Sequence, residues 1–143
     1  QYWLFEARKR FGLQILNFTA TCNHTHLLVV EGHNSQAISK SLQLVAGRTA
    51  QQYNQRKSRG GAFWEDRYHA TAVESGEHLR RCMAYIDMNM VRAGAVEHPC
   101  DWPDCGYHGI QHPPNAYSDD LGHRFRDDTG HCFRDEIGQL IGA

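Results

Sequence analysis

Four consecutive apolar residues, Leu27-Leu28-Val29-Val30, follow directly on His24-Thr25-His26, and Glu31-Gly32 closes the run. A short apolar stretch bounded by turn residues reads as a strand, His24 to Glu31, buried on both faces and therefore central in its sheet. The rest of the chain has to be arranged around that strand. Upstream, Leu13 to Thr21 reads as its antiparallel partner, with Leu13 and Ile15 on one face and Leu16 and Phe18 on the other. Asn23 and its neighbours make the tight connection.

Helices bracket this pair. Residues 2–11 carry a helical pattern that Gly12 stops. Ser35 is placed as the N-cap of a helix from Gln36 to about Arg56, in which Ile38, Leu42, Val45, Thr49 and Tyr53 recur at spacings of three and four. Lys57 to Gly61 is a basic break. Arg67 to Val73 reads as a short third strand. Ser75 then caps a helix to about Arg92, with Gly94 beyond its end. Glu97 to Gly106 holds two prolines and reads as irregular. The order helix–strand–strand–helix–strand–helix predicts an α+β fold, with helices packed on an antiparallel sheet.

Composition excludes several classes. With 143 residues, 41% hydrophobic and 22% charged, the chain has the make-up of one soluble domain. No apolar run approaches the ~20 residues needed to span a bilayer. The opening residues, Gln1-Tyr2-Trp3-Leu4-Phe5-Glu6, lack a secretory layout. Five cysteines, an odd number, do not make a dense disulfide framework and read as reduced thiols in a cytoplasmic protein. The net charge of −1 is uneven: residues 40–100 hold nine Lys/Arg against six acids, and residues 101–143 hold three against eight. A basic middle permits local anion binding that the total conceals.

Two motifs carry chemistry. Alternation along a strand puts His24 and His26 on one face, suited to two imidazoles on one metal ion. The competing reading is a pair of histidines satisfied by hydrogen bonds. On the helix from Ser75, a rotation of about 100° per residue gathers Leu79, Cys82, Met83, Ile86 and Met90 into a core stripe. Tyr85 and Asn89 fall one turn apart on the polar flank, in the sector of His78, Arg81 and Arg92. That flank offers a nucleophile, an amide oxygen and cations; its bland alternative is a solvated basic side with a half-buried tyrosine.

Taken together, the motifs resemble those of the single-tyrosine HUH transposases, most of all the REP-associated tyrosine transposase branch. Asn23-His24-Thr25-His26-Leu27-Leu28-Val29 resembles the HUH metal motif. Ala84-Tyr85-Ile86-Asp87-Met88-Asn89-Met90-Val91-Arg92-Ala93-Gly94 resembles the catalytic-tyrosine helix, with Met90 where the family usually has Pro. Phe63-Trp64-Glu65-Asp66-Arg67-Tyr68 and Asp101-Trp102-Pro103 resemble two further landmarks. The resemblance covers roughly residues 1–110. It implies a ferredoxin-like HUH endonuclease architecture, here without the strand that precedes the family's first helix.

The resemblance further implies an activity: nicking and joining of single-stranded DNA beside hairpins, through a 5′-phosphotyrosine link. Tyr85 would be the nucleophile, while His24, His26 and Asn89 would hold a divalent metal, Mg or Mn. A phenol, with an ordinary pKa of about 10, is a weak nucleophile, but covalent catalysis splits the transesterification into two reversible steps. The basic middle supplies DNA-binding candidates: Arg48, Arg56, Lys57, Arg59, Arg67 and Arg92 for phosphates, with Trp64, Tyr68 and Tyr53 for unpaired bases. The expected partner is single-stranded or hairpin DNA and no membrane, with the protein a monomer or homodimer.

Two other classes compete. One is a catalytically silent hairpin-binding module derived from a transposase. The other is a structural metal-binding domain in which Cys100, Cys105, His98, His108 and His112 hold zinc. Residues 111–143 read as an acidic, poorly periodic tail, either solubilising or in weak competition with DNA phosphates for the basic groove.

Overall fold

The computed structural model describes residues 1–111; the acidic tail, Cys132 and the candidate zinc ligand His112 lie outside the described residues. Helix α1 (Tyr2–Phe11) is followed by strands β1 (Gln14–Ala20) and β2 (Thr25–Val30) and by helix α2 (Ala37–Arg56). Helices α3 (Gly76–Asp87) and α4 (Asn89–Arg92), a 3₁₀ turn (Pro99–Asp101) and helix α5 (Tyr107–Gln111) complete the order. The architecture is α+β, with a two-stranded antiparallel sheet and the ferredoxin-like layout short of a strand.

The described residues divide into two compact units. Residues 1–15 and 29–72 form one of them, built on α1 against α2. Gly12 ends α1 in the left-handed conformation, φ 71°, and returns its N–H to the Arg8 carbonyl at 2.9 Å, as the sequence predicts. The expected stripe on α2, from Ile38 to Tyr53, is only half-buried. The fully buried positions in this unit include Leu4, Ala7, Ala37 and Ser41. Three of those four are small, and small side chains let helix backbones approach closely. Trp3 donates from Nε1 to Gln52 Oε1 at 3.0 Å, and Trp64 donates from Nε1 to the Ala46 carbonyl at 2.9 Å. The α2 cap differs from expectation: Gln36, not Ser35, occupies it, and Asn34 Oδ1 accepts the Gln36 N–H at 3.1 Å.

Residues 16–28 and 73–111 form the second unit. Its hairpin closes with the Thr21 N–H on the His24 carbonyl at 2.8 Å. The buried face of β1 carries Asn17 and Thr19, each 1% exposed, while Leu16 is exposed. Leu13 and Ile15 therefore lie on one face and Leu16 and Phe18 on the other, as the alternation predicts. The odd-numbered face stays inward because its polar members find partners. Asn17 Nδ2 donates to Asp87 Oδ1 of α3 at 2.7 Å, and Asn17 Oδ1 accepts the Phe18 N–H at 2.8 Å. Residues 104–106 line the far side of β1, through Ala20 N–H to the Asp104 carbonyl and Gly106 N–H to the Phe18 carbonyl, both 2.8 Å. Trp102 docks its indole N–H on the Ala20 carbonyl at 2.9 Å.

Three further expectations change. β2 is not central: it pairs with β1 in a two-stranded sheet, and Val30, at the end of its apolar run, is exposed. Arg67 to Val73 is not a strand, since no described segment pairs with it and residues 65–72 are exposed. The helix from Ser75 does not run unbroken to Arg92. It stops at Asp87, turns at Met88 (φ −84°, ψ 1°) and resumes as α4. Ser75 does cap it, with Oγ accepting the His78 N–H at 3.1 Å, and Ile86 of the predicted stripe is buried.

Gly106 tests how tightly this unit closes. A Cβ there would lie 2.5 Å from Asn17 Oδ1 and 3.2 Å from the Phe18 backbone nitrogen. Gly106→Ala is expected to lower stability by about 1–3 kcal/mol in urea unfolding, the usual cost of overpacking. Gly109→Ala, whose Cβ would meet open space, is the control and should show no such loss.

Candidate active site

The second unit brings together four of the residues singled out by sequence. His24 lies just before β2, held by the turn, and His26 lies on the strand. Their rings meet edge to face at 4.9 Å between centroids. The Tyr85 ring of α3 stands 5.2 Å from that of His26, also edge to face. The Arg92 guanidinium also lies over the tyrosine ring, at 5.2 Å from its centroid. Tyr85 is thus in contact with both an imidazole and a guanidinium, with a second imidazole next to the first. Tyr85 is 42% exposed, so a ligand can reach it.

Sequence spacing explains the convergence. Arg92 lies seven residues after Tyr85, close to two helical turns, and the turn at Met88 keeps α4 in continuation of α3 through the Met88 N–H on the Ala84 carbonyl at 2.9 Å. Asn89 is the first residue of α4 and is half-buried. Tyr85 and Asn89 therefore sit on successive helices either side of a turn, not on one helix.

Two imidazoles lie side by side here, a residue type that commonly ligates divalent ions. His26 has its pKa lowered, first by burial and then by the neighbouring His24, which keeps its imidazole neutral and able to ligate. His24 Nδ1 is engaged on the protein side, 2.7 Å from Asn23 Oδ1 and 2.9 Å from Thr21 Oγ1. Among the described residues no cluster of three or more His, Cys, Asp or Glu is placed to hold a metal.

The zinc alternative finds its donors otherwise employed. His98 Nδ1 accepts the Cys100 N–H at 3.2 Å, Cys105 Sγ donates to the Trp102 carbonyl at 3.0 Å, and His108 Nε2 lies 2.7 Å from the Cys100 carbonyl. Burial raises the Cys105 pKa, favouring the thiol over the thiolate that zinc needs. Among the described residues, Cys82, Cys100 and Cys105 are in no disulfide.

The remaining DNA-binding candidates belong to the first unit. Arg48 lies over the Trp3 ring at 5.4 Å, and Arg59 lies over Tyr53 at 5.6 Å while donating to the Ala62 carbonyl. Trp64 is tied to the Ala46 carbonyl, packs edge-on against Phe63 at 4.8 Å and is half-buried. Arg56 and Lys57 are exposed at the end of α2, and Arg67 and Tyr68 are exposed in the irregular segment beyond it. Sequence reasoning missed Asn17, Asp87, Thr21 and Asn23. The signal for the last two was a pair of short polar residues immediately before the first histidine.

Comparison with known proteins places the chain in a class. The family model described as "Transposase IS200 like" matches residues 2–89, more than half of the chain. The protein belongs to the IS200-like transposase family, which acts on DNA and generally depends on divalent metal. No curated protein and no solved structure matches it. Among the described residues no helix is long and apolar enough to cross a membrane.

The lowered His26 pKa has a sign that can be checked. The unfolded state, with its histidine near 6.5, binds more protons than the folded state. The stability this group contributes is therefore present above 6.5 and is lost as pH falls through the folded pKa. In the metal-free protein the His26 ring resonances are expected to titrate below those of an exposed histidine. An NMR midpoint at or above the ordinary value contradicts the burial described here.

Proposed function

We propose that this protein nicks and rejoins single-stranded DNA next to hairpins through a covalent 5′-phosphotyrosine intermediate, with Tyr85 as nucleophile. The observation that carries the reading is the Tyr85 ring 5.2 Å from that of His26, with His24 next to His26 and the Arg92 guanidinium over the Tyr85 ring. A nucleophile, two metal-ligating imidazoles and a fixed positive charge are what phosphoryl transfer on DNA requires.

In the first step the Tyr85 Oη forms a bond to phosphorus while the bond from phosphorus to the 3′-oxygen breaks. The phenol gives up its proton, and the departing oxygen becomes a free 3′-hydroxyl. One ester replaces another, so the linkage energy is kept and a 3′-hydroxyl can later reverse the reaction. Arg92 supplies a permanent cation beside the attacking ring, suited to an oxygen of the incoming phosphate. Exposure of Tyr85 admits a strand whose bases are not paired around it. His24, His26 and Asn89 would hold Mg or Mn, which when bound polarises the scissile phosphate.

The working domain in this proposal is residues 1–110, with 111–143 an appended acidic tail. The proposal further takes the protein to be of the REP-associated branch, acting in the cytoplasm as a monomer or homodimer. Arg48, Arg56, Lys57, Arg59, Arg67 and Arg92 would neutralise phosphates, and Trp64 and Tyr68 would meet unpaired bases.

Incubation with labelled hairpin DNA and Mn²⁺, followed by a denaturing gel, is expected to show a covalent adduct. Tyr85→Phe should abolish it while hairpin affinity stays within a few-fold; an adduct formed by that variant overturns the assignment. His24→Ala combined with His26→Ala should remove Mn²⁺-dependent cleavage and leave the fold intact by circular dichroism. Cleavage that persists in excess chelator rules out a catalytic metal.

A further inference from the structure

We propose that Asn23 is a positioning residue: it holds His24 in the tautomer with the proton on Nδ1, leaving Nε2 as the nitrogen with a free lone pair. The inference rests on the reading of His24 as a metal ligand and adds how this chain prepares it.

The geometry is that of a hydrogen-bonded hub. Thr21 Oγ1 accepts the backbone N–H groups of Asn23 at 3.4 Å and His24 at 3.1 Å. With both lone pairs taken, the hydroxyl has one proton to give. The Asn23 Oδ1 and the His24 carbonyl each lie 3.0 Å away to receive it. Asn23 Oδ1 also lies 2.7 Å from His24 Nδ1. An amide oxygen only accepts. At 2.7 Å an unprotonated Nδ1 would set two lone pairs against each other, whereas an Nδ1–H makes a short hydrogen bond. The Thr21 hydroxyl, 2.9 Å from Nδ1, has a proton to give and so does not itself select a tautomer. The Asn23 amide oxygen, which only accepts, selects Nδ1–H.

A metal-ligating histidine typically donates its other ring N–H to an oxygen, which fixes the tautomer, orients the ring and raises ligand basicity. Here that oxygen comes from the residue immediately before the ligand. The arrangement costs little conformational entropy, because the turn closed by the Thr21 N–H on the His24 carbonyl already fixes Asn23 and His24 relative to one another. Asn23 itself is exposed, so replacing it removes no core contact.

The test uses the full-length, metal-free chain. Long-range ¹H–¹⁵N correlation of the neutral imidazoles should show His24 with Nδ1 protonated and Nε2 bare. In Asn23→Ala the Nε2–H form should gain population, and Mn²⁺ binding measured by calorimetry should weaken by roughly 10- to 100-fold. Asn23→Asp, which keeps an acceptor oxygen, should retain the wild-type tautomer. A wild-type spectrum with His24 protonated on Nε2 overturns the proposal by itself, whatever the variants do. So does Asn23→Ala with unchanged tautomer and unchanged Mn²⁺ affinity. Failure of the underlying ligand reading looks different: His24→Ala with His26→Ala would bind Mn²⁺ as the wild type does, while the tautomer result stood.

Discussion

The hydrogen bond from Asn17 to Asp87 is the contact on which the candidate site depends. Asn17 is buried on the strand that pairs with the histidine strand, and Asp87 lies two residues beyond the tyrosine. The bond therefore links the two segments whose side chains must meet. A hydrogen bond to a charged group contributes about 1.5–3 kcal/mol, and losing either partner leaves the other buried and unpaired at a similar cost. Packing supports it, with Ile86 as the buried anchor of α3 and Leu28 as that of β2. Apolar packing alone, however, does not set the register of a helix against a strand to the precision that the grouping of His24, His26, Tyr85 and Arg92 needs. A directional bond between side chains does.

Much of the local structure was legible because local chemistry decides it. Gly12 ends α1 by adopting a conformation that other residues resist, and Ser75 begins α3 by accepting a backbone N–H. The stripe around Ile86 followed from periodicity. What escaped was decided by distant partners. Asn17 and Thr19 are polar, so the alternation in β1 did not say which face is buried; their burial makes sense only once Asp87 and the strip at 104–106 are in place. The apolar run after His26 signalled a central strand, yet β2 has one strand beside it in the sheet. The stretch from Arg67 had strand-like composition but lacks a described pairing partner. At the site, residue types and spacing named His24, His26, Tyr85 and Arg92, and the structure draws those four together. The break at Met88 was hidden, since Asp87, Met88 and Asn89 include no proline or glycine.

Aromatic and cationic residues divide into two kinds of environment. In the first unit Arg48 and Arg59 already lie over Trp3 and Tyr53, and Trp64 spends its indole N–H on a backbone carbonyl. An arginine stacked on a ring keeps its charge and presents a preset direction, so it gives up less side-chain freedom on meeting a phosphate than a free lysine does. In the second unit the same pairing recurs at Arg92 and Tyr85, where the ring is the proposed nucleophile. One device, a guanidinium laid on an aromatic face, serves scaffold and chemistry alike.

The wide separation of the site's parts along the chain bears on how the protein is made. Asn17 and Asp87 are 70 residues apart, and the entire α2 segment is synthesised between them. Closing a loop of that length costs chain entropy before the contact repays it. On a ribosome the histidine hairpin emerges early and waits, its buried-face asparagine still in water, until α3 has been threaded out. A polypeptide interrupted before α3 carries both imidazoles but lacks Tyr85, so in the proposed reaction it would have no group with which to attach itself to DNA.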